Sequence, residues 1–224
     1  VVDAMAQADA LLRRSTAPAD VREARARFEA ALAADPRASH AWAGLALSLL
    51  SEVQGRWGDD PARQTARAAA AVEAALALDP ESALAHYARG HLLMVQGDVE
   101  AALAAYRQVL ARNPSDAWAH ARVGAALLAL GRFDEVEAPV ARARQLSPLE
   151  GTQVAFGQVT AATADFHRGR DDAAYQRCRE AALANPQNAS AWAMMAAIDA
   201  LHGRPEAAAK AMARLRQLRP QWTV

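Results

Sequence analysis

An all-α solenoid of about six helix–turn–helix repeats is the fold class that this sequence predicts. Three observations carry the prediction. Pro80, Pro114 and Pro148 stand 34 residues apart, and a fixed period of that length is the mark of stacked helical hairpins. Within one period, Ala83 to Pro114, two helix-length apolar patterns flank a turn at Gln96-Gly97-Asp98. Apolar residues make up 53% of the chain, with alanine dominant, and aromatics only 5%. That balance suits helices packed closely on small side chains, not a sandwich or barrel core.

The elements follow in order. Asp3 to Arg14 reads as a first helix, with Ala6, Ala10 and Leu11 on one side, broken at Thr16-Ala17-Pro18. Asp20 is expected to cap the next helix, whose stripe is Val21, Ala24, Phe28, Ala31 and Leu32. This helix stops at Asp35-Pro36, because the residue before a proline is pushed out of the α region. The second unit opens at Ser39 and packs through Trp42, Leu45, Ala46 and Leu49. Pro36 to Pro80 is 44 residues, ten more than the period, and the excess is expected as an insertion at 52–60. Asp60-Pro61 then restarts a helix, Asp60 as cap and Pro61 at its first position. Units three and four are regular. Pro148 to Pro186 is 38 residues. The four extra residues, about one turn, predict a longer first helix, Thr152 to Arg168. The sixth unit returns to 34 at Pro220, and the tail Gln221-Trp222-Thr223-Val224 is too short for a capping helix.

The chain thus reads as a single array over 1–224, with units at about 5–38, 39–82, 83–116, 117–150, 151–188 and 189–222. Ala24, Ala68, Ala102, Ala174 and Ala208 recur at the closest helix approach. Val136 departs from them and should push its two helices apart. The large position of each second helix is Phe28, Val72, Tyr106, Val140, Cys178 and Met212.

Charge and cysteine usage exclude several classes. Lys+Arg and Asp+Glu both number 25, so no broad field draws this region to nucleic acid or anionic membrane. Lys210 is the only lysine, an arginine bias that suggests a GC-rich bacterial source. Cys178 is the only cysteine, which rules out an internal disulfide or a cysteine metal cluster. No apolar run is long enough to span a membrane and no secretory signal is present, so a cytoplasmic location is expected. The chain begins at Val1 and not at methionine, and is read as a processed chain, an excised segment or a fragment of something longer.

The spacing, with its Trp–Leu–Gly/Ala, Ala, Phe/Tyr and Pro pattern, resembles the tetratricopeptide-repeat family over essentially the whole chain. The resemblance implies a right-handed superhelix. Trp42 to Pro80, with its Gly-Arg-Trp-Gly-Asp-Asp-Pro stretch, also looks like the tetratricopeptide region of bacterial class III nucleotide cyclases and winged-helix transcriptional regulators. That resemblance implies a regulatory part of a larger bacterial protein. No catalytic residue of such proteins is present here to carry over.

In a tetratricopeptide solenoid the first helix of each hairpin lines a concave face, where partners bind. Positions 2, 5, 9 and 12 of those helices give His40, Ala43, Leu47 and Leu50; Leu84, Tyr87, His91 and Met94; Trp118, Ala121, Ala125 and Leu128; and Thr152, Ala155, Val159 and Ala162. Position 6 adds Arg122 and Phe156. The expected partner contacts are His40, Tyr87, His91, Met94, Trp118, Arg122 and Phe156. An apolar stripe with a few polar points suits an amphipathic helix or apolar peptide. Only Arg122 fits a carboxylate clamp. Trp118 stands two residues earlier than Trp42 and Trp192 do in their units and should be more exposed. Trp57 either folds back as a lid on its own unit or presents a contact to a partner.

The same stripe is also compatible with self-packing, with a small apolar ligand, or with a homo-oligomeric scaffold joined at the array ends. No His-x-x-x-His or Glu-x-x-His spacing supports a metal site. Asp59-Asp60 reads as a helix start, not a cation site. No nucleophile or acid–base set is visible, so a non-enzymatic module without cofactor or metal is expected.

Overall fold

The computed structural model describes residues 2–14, 17–58 and 60–220, and among these every regular element is helical. Thr16, Asp59 and the tail Gln221-Trp222-Thr223-Val224 lie outside the described residues. In chain order the helices are α1 (Val2–Arg14), α2 (Pro18–Ala34), α3 (Ser39–Gly55), α4 (Pro61–Leu78), α5 (Ala83–Gln96) and α6 (Val99–Arg112). There follow α7 (Ala117–Ala129), a 3₁₀ turn (Phe133–Glu135), α8 (Glu137–Leu146), α9 (Gly151–His167), α10 (Asp171–Ala184), α11 (Ala189–Leu201) and α12 (Pro205–Leu218). The chain forms two compact units, Val1–Ala119 and His120–Val224.

The proline period has a local cause. Asp35, Asp79, Asn113 and Asn185 each end a helix in an extended conformation, the backbone N–H still donating four residues back. Each side chain then accepts the N–H two residues on: Arg37 at 2.9 Å, Glu81 at 3.1 Å, Ser115 at 3.2 Å and Gln187 at 3.0 Å. An Asx turn across a proline therefore separates successive hairpins, the proline costing nothing because its missing N–H is not needed there. Within hairpins the turn is a left-handed residue: Gly97, Gly131, Gly169 and Gly203 have φ of 85°, 72°, 69° and 66°.

The first unit buries Phe28, Leu49, Leu50, Val72 and Tyr106 around Ala24, Ala68 and Ala102, all at most 1% exposed. The second buries Val140, Cys178 and Ile198 with Ala174. Met212 and Ala208, on the last helix, are only half-buried.

Two expectations are corrected. Asp20 does not cap α2; Ala17 holds that position, Pro18 starts the helix, and Asp20 sits in the first turn, where its charge faces the positive end of the helix dipole. The ten extra residues of the second unit are mostly helix. α3 and α4 have 17 and 18 residues where α5 and α6 have 14 each, so seven of the ten extra residues are helical. In the fourth hairpin Val136 is 1% exposed, and the second helix is interrupted beside it. A helix running straight from the turn would place Pro139 in its interior, where its ring meets a carbonyl. The entry is wound as 3₁₀ instead, and α8 restarts at Glu137 with Pro139 in its first turn. The longer α9, Gly151–His167, is found as expected, and Asp60 caps α4 by accepting the Arg63 N–H at 2.9 Å.

Candidate functional site

On α5, Tyr87 and His91 stand one turn apart, with ring centroids 5.1 Å from each other. Tyr106 of α6 meets both, at 5.8 Å and edge-on at 6.1 Å. This cluster exists because α5 carries a glycine facing it: a Cβ on Gly90 would lie 2.5 Å from the Tyr106 ring. His91 is thereby 4% exposed and supports Tyr87 from within the core; it is not a surface contact. Tyr87, Leu84 and Met94 are half-buried, as is Leu47 on the adjoining α3.

The expected groove register is therefore partly wrong. Ala43, Leu50, Ala121, Ala155 and Ala162 are all fully buried at 0%. Position 5 in particular is core wherever it is alanine, because so small a side chain lets neighbouring helices close over it. Position 2 keeps the surface, and position 9 does so except at His91: His40 is exposed, and Leu84, Trp118, Thr152, Leu47, Ala125 and Val159 are half-buried.

His40 packs 6.5 Å from the Phe28 ring, and its Nε2 lies 2.8 Å from Asp9 Oδ2 of α1. The hydrogen bond to Asp9 is the main cause that raises its pKa above the usual histidine value. The Asp9 charge adds to this, while burial and Arg13 oppose it.

Trp118 is half-buried, as are Trp42 and Trp192. A ring N–H at the fourth position of the first helix serves as a staple. Trp42 Nε1 donates to the Pro36 carbonyl at 2.9 Å and Trp192 Nε1 to that of Pro186 at 3.2 Å. His86 Nε2 reaches the Pro80 carbonyl at 2.8 Å, which fixes Nε2 as the protonated nitrogen.

In the second unit α7 and α9 bring Arg122 and Phe156 together. The guanidinium carbon lies 4.4 Å from the ring centroid, a cation–π stack with both side chains half-buried. Beside Phe156 on α9, Val159 is half-buried too.

Trp57, just after α3, is drawn back onto its own hairpin and α2. Trp57 donates its backbone N–H to Glu52 at 3.0 Å, and its carbonyl accepts from Arg22 Nη2 at 3.2 Å. Its ring lies against Gly55, where a Cβ would come within 2.3 Å. The glycine is thus used for close approach, and Arg56 takes the left-handed position, at φ 55°.

Buried carboxylates escaped the sequence reading. Glu52, Asp165 and Asp199, at 3%, 7% and 2% exposure, sit near the ends of α3, α9 and α11. Glu52 Oε2 accepts from Arg25 Nη1 at 2.8 Å and from Gln64 Nε2. Asp165 accepts from Arg177 Nε at 2.8 Å, and Arg177 Nη2 reaches Glu137 at 2.6 Å. Asp199 accepts from Arg204 Nε at 2.7 Å and from the Tyr175 hydroxyl at 3.2 Å. Burial, then Asp199 itself, pushes the Tyr175 pKa up. The available signal was a lone acid late in an apolar helix, followed by an arginine. These acids tie segments together through arginines. Cys178 is buried and its pKa is pushed up to about 12 by burial alone, so its thiol stays protonated. Among the described residues no group of three or more His, Cys, Asp or Glu could hold a metal ion, and no helix is long and apolar enough to cross a membrane.

Comparison with known proteins agrees with this geometry. Tetratricopeptide-repeat family models match residues 5–59 and 62–107, and a second, described as TPR repeat, matches 90–131. The chain is a tetratricopeptide-repeat protein. Among solved structures it is similar to YrrB, a tetratricopeptide-repeat protein with an unusual peptide-binding site (19% identity, TM-score 0.51, covering 87% of this chain and 93% of that one). It is also similar to PilF of Pseudomonas aeruginosa (18%, 0.62, 91% and 86%) and to PilW, a type IV pilus biogenesis factor (21%, 0.66, 91% and 88%). At such identities the likeness concerns the fold. No curated protein matches the chain.

Proposed function

We propose that this chain is a non-enzymatic interaction module that seats an apolar peptide or amphipathic helix of a partner protein. The observation that carries the reading is the Arg122–Phe156 stack, a half-buried aromatic and arginine pair on two adjoining first helices. Arginine and large aromatic side chains dominate binding energy at protein interfaces. Half-buried Ala125, Leu128 and Val159 extend the apolar surface beside it in the second unit, and Leu84, Tyr87 and Met94 offer a like surface in the first. The peptide site of the similar YrrB is in keeping with this use of the fold. We also read the module as part of a larger cytoplasmic bacterial regulator, on the strength of the Trp42–Pro80 resemblance.

The test is affinity capture from a bacterial lysate with the wild-type chain, Phe156→Ala and Ala125→Glu, each first shown to melt as wild type does. Affinity for the captured protein should fall at least tenfold in both variants, about 1.4 kcal/mol. Retention of the same partner at undiminished affinity would sink the proposal. A small molecule retained only by wild type would point to the sensor alternative. Concentration-dependent mass in light scattering would point to the oligomeric one.

A further inference from the structure

We infer that the cavity between α8, α9 and α10 is a binding site for one ordered water molecule, held by Gln153. The repeat itself singles this residue out. The third position of the first helix is Ala41, Ala85, Ala119 and Ala191 in the second, third, fourth and sixth hairpins, every one fully buried. In the fifth hairpin the same position is Gln153, also at 0% exposure. A carboxamide thus stands where the repeat otherwise places a methyl group, and neither its Oε1 nor its Nε2 has a hydrogen-bond partner in the protein.

Gln153 lines a cavity of about 20 Å³, together with Val140, Val154, Gly157 and the rim residues Glu137 and Arg144. A water needs roughly 10–15 Å³ on this measure, and two or more polar partners. The space therefore admits one water and little else. The other polar groups around it are matched among themselves. Arg177 donates to Asp165, Gln158 and Glu137, and Gln158 Nε2 donates to Glu180. The unmet demand is one acceptor and one N–H donor on a single amide, whichever way the amide is turned. A bare anion accepts only and a bare cation donates nothing, so either would leave half the amide unmet. Water both donates and accepts, and its remaining capacity can face the rim.

The site is tested first on the wild-type protein. A crystal structure at about 1.5 Å or better should show a water within hydrogen-bond reach of both Gln153 amide atoms, about 2.7–3.2 Å. A dry cavity, or a Gln153 amide bonded to protein groups, would overturn the inference. A second measurement uses Gln153→Met, which keeps the length of the side chain and removes its polar demand. With a bound water satisfying the amide in wild type, the melting temperature should move by less than about 2 °C. A rise of more than about 4 °C would show an amide left unsatisfied in wild type, and hence no water. A fall of more than about 4 °C would show protein contacts made by the amide, and would overturn the site as well.

Discussion

The imidazole of His40 and the carboxylate of Asp9 join α1 to α3 at one point, and that point is sensitive to pH. The folded-state pKa of His40 is raised, chiefly by the Asp9 bond. A raised pKa means that the protonated form is favoured by folding. The contribution is then fully present below the unfolded value of 6.5 and is lost as pH rises through the folded one. Wild type should therefore lose melting temperature relative to Asp9→Asn across about pH 6 to 8, the window in which histidine titrates. Parallel pH profiles for the two proteins would remove the linkage. Arg56 offers a second residue-scale prediction. It occupies the left-handed turn position that glycine holds in four other hairpins. Strain of about 1–2 kcal/mol is set against the extra chain entropy of glycine, about 0.5–1 kcal/mol. Arg56→Gly should accordingly stabilise by about 0.5–1 kcal/mol in urea unfolding. The sequence could not show this exchange, because Gly55 looks like the natural turn residue until the Trp57 ring is seen against it.

At the scale of elements, a helix here is bounded by local chemistry and positioned by the size of one facing side chain. Asp60 caps α4 through the Arg63 N–H, so Asp60→Ala should cost about 1 kcal/mol, read by chemical denaturation. Pairing of α5 with α6 depends on Gly90 facing Tyr106. Gly90→Ala should therefore destabilise by about 1–3 kcal/mol through overpacking. Tyr106→Val in the same chain should recover most of that loss, since valine already occupies the matching positions 72 and 140. Equal losses in the single and double variants would refute the pairing. Helix existence was legible from apolar spacing, and the Asx–Pro turns from their dipeptides. The 3₁₀ entry to α8 was not, because it results from Val136 and Pro139 competing for one turn of helix.

For the molecule as a whole, charge is balanced and the buried acids are paired, and the proposed recognition rests on half-buried apolar and aromatic side chains. Arg122→Ala should weaken partner binding less than Phe156→Ala does, since the ring supplies area while the guanidinium adds about 0.5–1 kcal/mol of cation–π attraction at an exposed site. Titration calorimetry against the captured partner would measure both, and the reverse order would move the anchor from the ring to the charge. The sequence by itself determined the all-helical class, the hairpin period, the Asp60 cap and the positions of small and large residues. All of these follow from interactions between residues a few positions apart. Only the tertiary structure decided which side chains keep a surface. His91 became core because two tyrosines close over it, and Arg122 met Phe156 because α7 and α9 adjoin. Glu52, Asp165 and Asp199 became the partners of arginines on other segments. Exposure is set by what a neighbouring helix covers, and that depends on the sizes of side chains distant in sequence.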